Sequence, residues 1–337
     1  MDPKNIEHLR YEIIEALFNN GNVGSDSDPL VECPKIDEAQ FPELILLNKK
    51  NNQRPVFWVH SVGGVQPYFM IAKHTPRPFY GIEARGWRTD RAPLYGIQAA
   101  AAYYVHIIKS IQPIGPYDLG GYSLGGLIAY EMTRQLQELG DTVLTITMLD
   151  TLAPNVLGST KDISFKCRLL QSANFILATQ VFVDTANIKK FLIDCKEVDW
   201  SMSAEDITRY LGILVKDRGI DMPDKKLHEK INKWGLIQKA YEYGSYKLGT
   251  LPKPKSVDCY YFRNKSGLFF GNLASCYAIP GDEVEVDHIN YWNLWQDNLP
   301  NMQIIDVDAS NHLMLLSEKS SYETIIEFCR KIYSGKE

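Results

Sequence analysis

No apolar run in this sequence approaches the ~18 residues that a membrane-crossing helix needs, so no such span is expected. The opening residues, MDPKNIEHLRYEII, put charges where a secretory signal needs an apolar stretch, which argues against export. Cys33, Cys167, Cys195, Cys259, Cys276 and Cys329 are scattered, with no C-x-x-C pair. That pattern opposes a disulfide framework or a zinc site and fits reduced thiols in a cytoplasmic protein. No dense basic cluster is present, and 36 Lys and Arg against 41 Asp and Glu leave a net charge of -5. Nucleic acid and anionic membrane surfaces are therefore not expected partners. Internal repeats, low-complexity segments, metal-ligand constellations and a G-x-G-x-x-G fingerprint are all missing, so no bound cofactor or metal is expected.

What is present is an ordinary globular composition, 45% hydrophobic and 23% charged over 337 residues, with ample material for a core. Residues 4–19 have helical spacing. The stretch NGNVGSDSDPLVECPKIDEAQ then reads as a linker. Its GSDSD faintly resembles a phosphopantetheine attachment site, but Pro29 and Pro34 exclude the helix that such a site opens. From residue 43 the rhythm changes to strands (LILLN, PVFWVH, FYGIEA, PYDLGGYS, TVLTITMLD) alternating with helices (GIQAAAAYYVHIIKSI, LGGLIAYEMTRQLQEL). Such alternation predicts βαβ units and a parallel α/β sheet. Residues 160–247 read as helices only, including NIKKFLIDC, SAEDITRYLGILVKD and a helix running from KKLHEK to SYKL. Ser203 and Asp206 form a capping pattern, and Gly219 is a stop signal. Strands return at 257–263 and 302–309, and YETIIEFCRKIY forms a last helix. One sheet is thus interrupted by a helical insertion.

The chemistry gathers at Gly121-Tyr-Ser-Leu-Gly125, a G-x-S-x-G turn that follows a buried strand and opens an amphipathic helix. A sharp turn there lifts the Ser123 hydroxyl clear of its backbone, and the glycines leave room for strand and helix to cross. A serine needs a base, and the base needs an orienting acid. His312, in DASNHLML between the last strand and the last helix, is the candidate base, with His288 second. His8, His106 and His228 read as surface or packing residues, His74 lies in a proline-flanked turn, and His60 ends a strand before Gly63-Gly64. Asp150 ends the strand after the nucleophile's helix, where open α/β sheets keep their sites, and is the candidate acid. Asp306, Asp308, Asp282 and Asp287 are its rivals, although the strand before the last two leads into NKSG with no carboxylate. The oxyanion needs two backbone N–H donors: Leu124, after the nucleophile, and Val62, in the glycine-bearing HSVGG loop.

The segments YGIEARGW, QPIGPYDLGGYSLGGLIAYEM, TVLTITMLDTLAP and DASNHLML closely resemble the thioesterase domains of polyketide, nonribosomal peptide and fatty acid synthases. The resemblance covers roughly residues 43–153 and 300–335. It is weak or absent in 1–40 and in the helical insertion. It implies an α/β-hydrolase fold with a lid inserted between acid and base; with the strand and helix pattern above, the core is 41–152 and 251–337, the helical lid insertion 153–250, and residues 1–40 an N-terminal helix and linker. It places nucleophile, acid and base at Ser123, Asp150 and His312, and the oxyanion donors at Val62 and Leu124. One departure is Ser310-Asn311 where many relatives carry glycine and aspartate before the histidine.

The activity implied is acyl release from the phosphopantetheine arm of a carrier protein. An acyl-Ser123 intermediate forms first, and water or a hydroxyl or amine of the same chain then attacks it, giving hydrolysis or macrocyclisation. A discrete proofreading thioesterase, a carboxylesterase or lipase, and a catalytically inactive binding module are the alternatives. The triad residues argue against the last. Apolar residues of the insertion such as Leu170 and Phe175 are candidates to line an acyl channel or simply to pack. Arg85 and Arg88, in EARGW, are candidates to meet a phosphate, with surface or structural arginines the favoured reading.

Overall fold

The computed structural model describes residues 41–50, 53–61, 63–154, 163–180, 185–241, 245–280 and 293–334. The expected N-terminal helix and linker, Val62, His288, Asp282 and Asp287 lie outside them. Seven strands form one sheet: β1 (Leu44–Asn48), β2 (Val56–Val59), β3 (Phe79–Ile82), β4 (Tyr117–Tyr122), β5 (Val143–Leu149), β6 (Asp258–Asn264) and β7 (Met302–Val307). Their spatial order is β1-β3-β2-β4-β5-β6-β7, and every pair is parallel except β1 with β3. The central strands β2 and β4 are buried along their whole length, as strands covered on both faces must be, whereas edge strand β1 is buried only at its two ends.

Because successive side chains point to opposite faces, each strand feeds two cores. Phe57, Val59, Leu119 and Ile146 join the larger apolar cluster beneath α2 (Ile97–Ile111) and α3 (Leu124–Glu138). Val56, Trp58, Leu149 and Phe262 join the smaller one beneath α1 (Phe69–His74) and α7 (Lys319–Ile332). On that second face the indole N–H of Trp58 donates to the Tyr333 hydroxyl at 3.0 Å, and Thr147 meets the same hydroxyl at 2.7 Å. The C-terminal helix is thereby fastened to the middle of the sheet.

Between β5 and β6 stand α4 (Phe165–Gln180), α5 (Ala204–Asp217) and α6 (Asp224–Ala240), packed on one another. Their buried residues continue the larger cluster, so this helical unit shares the core rather than standing apart. The Ser203 hydroxyl accepts from the Asp206 amide at 3.1 Å and starts α5, and Gly219 follows its end with φ +92°.

The expected helix over NIKKFLIDC is a correction: two 3₁₀ turns, Thr185–Lys190 and Cys195–Glu197, occupy that region. The Asn174 side chain binds both the carbonyl (2.9 Å) and the amide (2.7 Å) of Ile193, removing them from any helical ladder. Asp194 caps the second turn. Helix α6 also stops earlier than its pattern suggests, because the Ala240 carbonyl accepts from the Gly96 amide of the core at 2.8 Å.

Candidate active site

Strand β4 runs directly into α3 through Ser123, whose φ of 55° and ψ of -120° lie where non-glycine residues are rarely held. Neighbouring glycines make that corner possible. A Cβ on Gly121 would lie 2.3 Å from the Gly125 carbonyl carbon, and one on Gly125 would lie 2.3 Å from the Val59 carbonyl oxygen. Only hydrogen at both positions lets the helix start this close to β2 and β4. Asp150, at the end of the adjacent strand β5, also has a positive φ, 45°. Two strained residues at neighbouring strand ends mark the functional edge of the sheet.

The structure brings Ser123, His312 and Asp150 into one relay. The Ser123 hydroxyl and His312 Nε2 are 2.9 Å apart, and His312 Nδ1 is 2.9 Å from Asp150 Oδ2. With Nδ1–H donating to the carboxylate, Nε2 is left as the acceptor that faces the serine hydroxyl. The second oxygen of Asp150 accepts from the Asn264 amide at 3.1 Å. His312 opens a 3₁₀ turn capped by the Asn311 side chain, and its amide donates to the Leu268 carbonyl at 2.8 Å. Its ring is stacked on both faces, by Phe269 at 4.1 Å and by Tyr122 at 4.8 Å between centroids.

Sequence reasoning passed over the segment after β6 because it brings no carboxylate. The structure shows what it does bring. The Asn264 side chain accepts from the Ser266 amide at 3.1 Å and donates to the Leu268 carbonyl at 3.1 Å. One turn thus holds the aspartate at its start and the histidine at its end, and it supplies Phe269. An N-x-S-G turn directly after a strand was the available signal. The rival Asp306 is gripped by Arg263 from β6, at 2.6 and 2.9 Å.

Leu124, the first residue of α3, lines the cavity beside Ser123, with its amide at a helix N-terminus that favours developing negative charge. Across from it is the loop after β2. His60 there is fully buried and meets the Tyr241 and Tyr104 hydroxyls at 2.7 and 3.0 Å through Nε2. Burial pushes its pKa down to about 3, so the ring is neutral. Gly63 follows, covered by Trp87; a Cβ there would lie 2.2 Å from the indole. Trp87 in turn stacks on Trp234 of α6, 4.0 Å between ring centroids. Sequence reasoning missed both links between this loop and the inserted helices, since partners so far apart in sequence leave no local pattern.

A cavity of about 890 Å³ opens over Ser123, of a size that holds a small organic ligand or acyl chain. Phe175 lines it, whereas Leu170 is buried in the helical packing. Arg88 reaches the cavity from its fork onto the buried Glu83, and Arg85 lies over the Tyr103 ring at 5.4 Å. Among the described residues there is no cluster of His, Cys, Asp or Glu suited to a metal, and no helix is long and apolar enough to cross a membrane.

The strand order, the strained serine corner, and the aspartate and histidine brought to it from after β5 and β7 define an α/β-hydrolase fold. Residues 54–185 match the thioesterase-domain family, and the chain carries a thioesterase domain of the kind found in polyketide and nonribosomal peptide synthases. Over 307 residues, 89% of this chain, it is 45% identical to polyketide synthase PksR of Bacillus subtilis, of which it spans only 12%. An atromentin synthetase of Suillus grevillei is 28% identical over 174 residues, 51% of this chain and 17% of that protein. Among solved structures, the Vlm2 thioesterase domain superposes with a TM-score of 0.54 at 16% identity, covering 86% of this chain and 96% of that one. YbtT, a type II thioesterase from the yersiniabactin pathway, gives 0.52 at 14% identity, covering 87% and 100%. At such identities these two speak to the fold alone.

Proposed function

We propose that the chain is a serine thioesterase that releases an acyl chain, polyketide or peptide, from the phosphopantetheine arm of a carrier protein. The observation that carries this reading is the unbroken relay from Ser123 through His312 to Asp150 at the mouth of an acyl-sized cavity. His312 Nε2 takes the serine proton as Oγ attacks the thioester carbonyl, and the tetrahedral oxyanion is stabilised by the Leu124 amide, with Val62 as the second donor expected from the sequence. Collapse expels the carrier thiol, which leaves with the proton from His312. Water or a hydroxyl or amine of the chain then gives its proton to His312 and attacks the acyl-serine, and the serine leaves reprotonated. Hydrolysis and macrocyclisation differ only in that second nucleophile.

The 45% identity to a polyketide synthase over most of this chain favours a chain-releasing domain over a discrete proofreading enzyme. The inserted helices α4 and α6, which wall the cavity, act in this reading as the lid. The test is a competition between acyl groups on a phosphopantetheinylated carrier and the same acyl groups as simple alcohol esters. A preference for the carrier in kcat/KM supports the reading, and faster turnover of the esters replaces it with a carboxylesterase.

A further inference from the structure

The described wall of the cavity has a one-sided electrostatic character. Its formal charges are Arg88, Arg168 and Lys230, and its side-chain amides are Gln66, Gln171 and Gln238; no aspartate or glutamate lines it. Unlike Lys233 on the same helix, which pairs with Asp90, Lys230 forms no ion pair with a carboxylate among the described residues. Its ammonium lies 4.6 Å from the centre of the Trp234 ring, on the same face of α6 one turn before that residue. The side chain is half-buried, and burial together with the charge of Lys226 pushes its pKa down, so the cation is incompletely solvated.

Position along α6 gives this group a place relative to the chemistry. Tyr241, at the end of the helix, touches His60 beside the oxyanion loop, and Trp234 touches Trp87, which covers Gly63. Lys230 lies four residues before Trp234 and eleven before Tyr241, or about 6 and 16 Å at the helical rise. An extended chain advances about 1.2 Å per bond, so roughly a dozen bonds of an acyl chain span the stretch from Tyr241, which lines the cavity with Ser123, to the ammonium. The Trp87–Trp234 pair and Phe175 form the apolar wall it passes on the way.

We propose that Lys230, seated on Trp234, is a specificity-determining residue that binds an anionic or oxygen-acceptor group on the distal part of the acyl chain. The chamber then takes oxygenated acyl chains in preference to amine-bearing ones. This rests on the reading of the site as acyl-releasing. An acceptor placed there gains a charge-assisted hydrogen bond, whereas a distal ammonium meets like charge and, among the described lining residues, no carboxylate.

The experiment uses N-acetylcysteamine thioesters of about eight to sixteen carbons, ending in methyl, carboxylate or amine. Each is assayed with the unsubstituted protein, Lys230→Met and Lys230→Glu. The expected result is a carboxylate-over-amine ratio in kcat/KM of about tenfold or more at the longer lengths. That ratio falls close to unity in Lys230→Met and inverts in Lys230→Glu, while the methyl-ended substrate is turned over alike by all three. Equal use of the carboxylate and amine substrates, or a ratio that the variants leave unchanged, overturns the assignment while the methyl-ended turnover keeps the acyl-releasing reading intact. Failure of the unsubstituted protein to cleave even the methyl-ended thioester overturns both.

Discussion

Acid should weaken this protein through His60, and the structure gives the size of the effect. The ring is fully buried, its Nδ1 faces the Ser61 carbonyl at 3.3 Å, and Nε2 accepts from a tyrosine hydroxyl. Protonating Nε2 would turn that acceptor into a donor facing Tyr241 and Tyr104, and would bury a charge with no carboxylate among its hydrogen-bond partners. The folded pKa is accordingly lowered from 6.5 to about 3. The unfolded chain therefore binds this proton below about pH 6.5 while the folded chain refuses it until about pH 3. The sign follows: stability is kept above about pH 6.5 and lost as pH falls towards 3. Between about pH 7.5 and 4.5 the loss from this one group is about 2.6 kcal/mol. Urea-unfolding midpoints measured across that range, for the unsubstituted protein and His60→Gln, isolate it by difference, since other titrating groups are common to both. Gln offers an uncharged donor and acceptor, so its curve should lack that slope. Parallel curves would refute the reasoning.

Three further outcomes are expected. Asp150→Asn, which leaves His312 Nδ1 without its acceptor, should lower kcat by about 10⁴-fold with little change in KM, measured on an acyl thioester. Gly125→Ala would press a methyl group against the Val59 and His60 carbonyl oxygens, at 2.3 and 2.6 Å. Displacing α3 by even 1 Å should lower kcat/KM by roughly 10²-fold, and an unchanged value would show the corner to be less constrained. Asp118, buried at the far end of β4 and shared by Arg54, Arg77 and Thr145, has a structural role. Asp118→Ala should cost about 3–5 kcal/mol in denaturant unfolding, because it strands the buried Arg77.

The sheet was legible because its central strands are nearly unbroken apolar runs and because two amphipathic helices separate them. Ser123 and Asp150 could be named because each stands directly after a strand, and His312 because it lies in the short loop between the last strand and the last helix, where side chains meet above the sheet edge. The antiparallel pairing of β1 with β3 was not legible, since a five-residue, mostly apolar run does not state a direction. Helix α1 escaped notice for a related reason: six residues before Thr75 and two prolines are too few to show a period. Asn174, which breaks the expected helix near Ile193, acts across nineteen residues. The Asn264 turn and the Trp87–Trp234 and His60–Tyr241 contacts likewise join distant segments, and such tertiary choices leave no local signature.

The most direct test of the catalytic account is intact-protein mass spectrometry after mixing the protein with an acyl-phosphopantetheine-loaded carrier, with Ser123→Ala in parallel. The account predicts an acyl mass increment on the unsubstituted protein, absent from the variant, with release of the carrier thiol. The mass of the product then separates a free acid from a ring. An increment that persists in Ser123→Ala, or a carrier that keeps its acyl group while the unsubstituted protein stays unmodified, would contradict it.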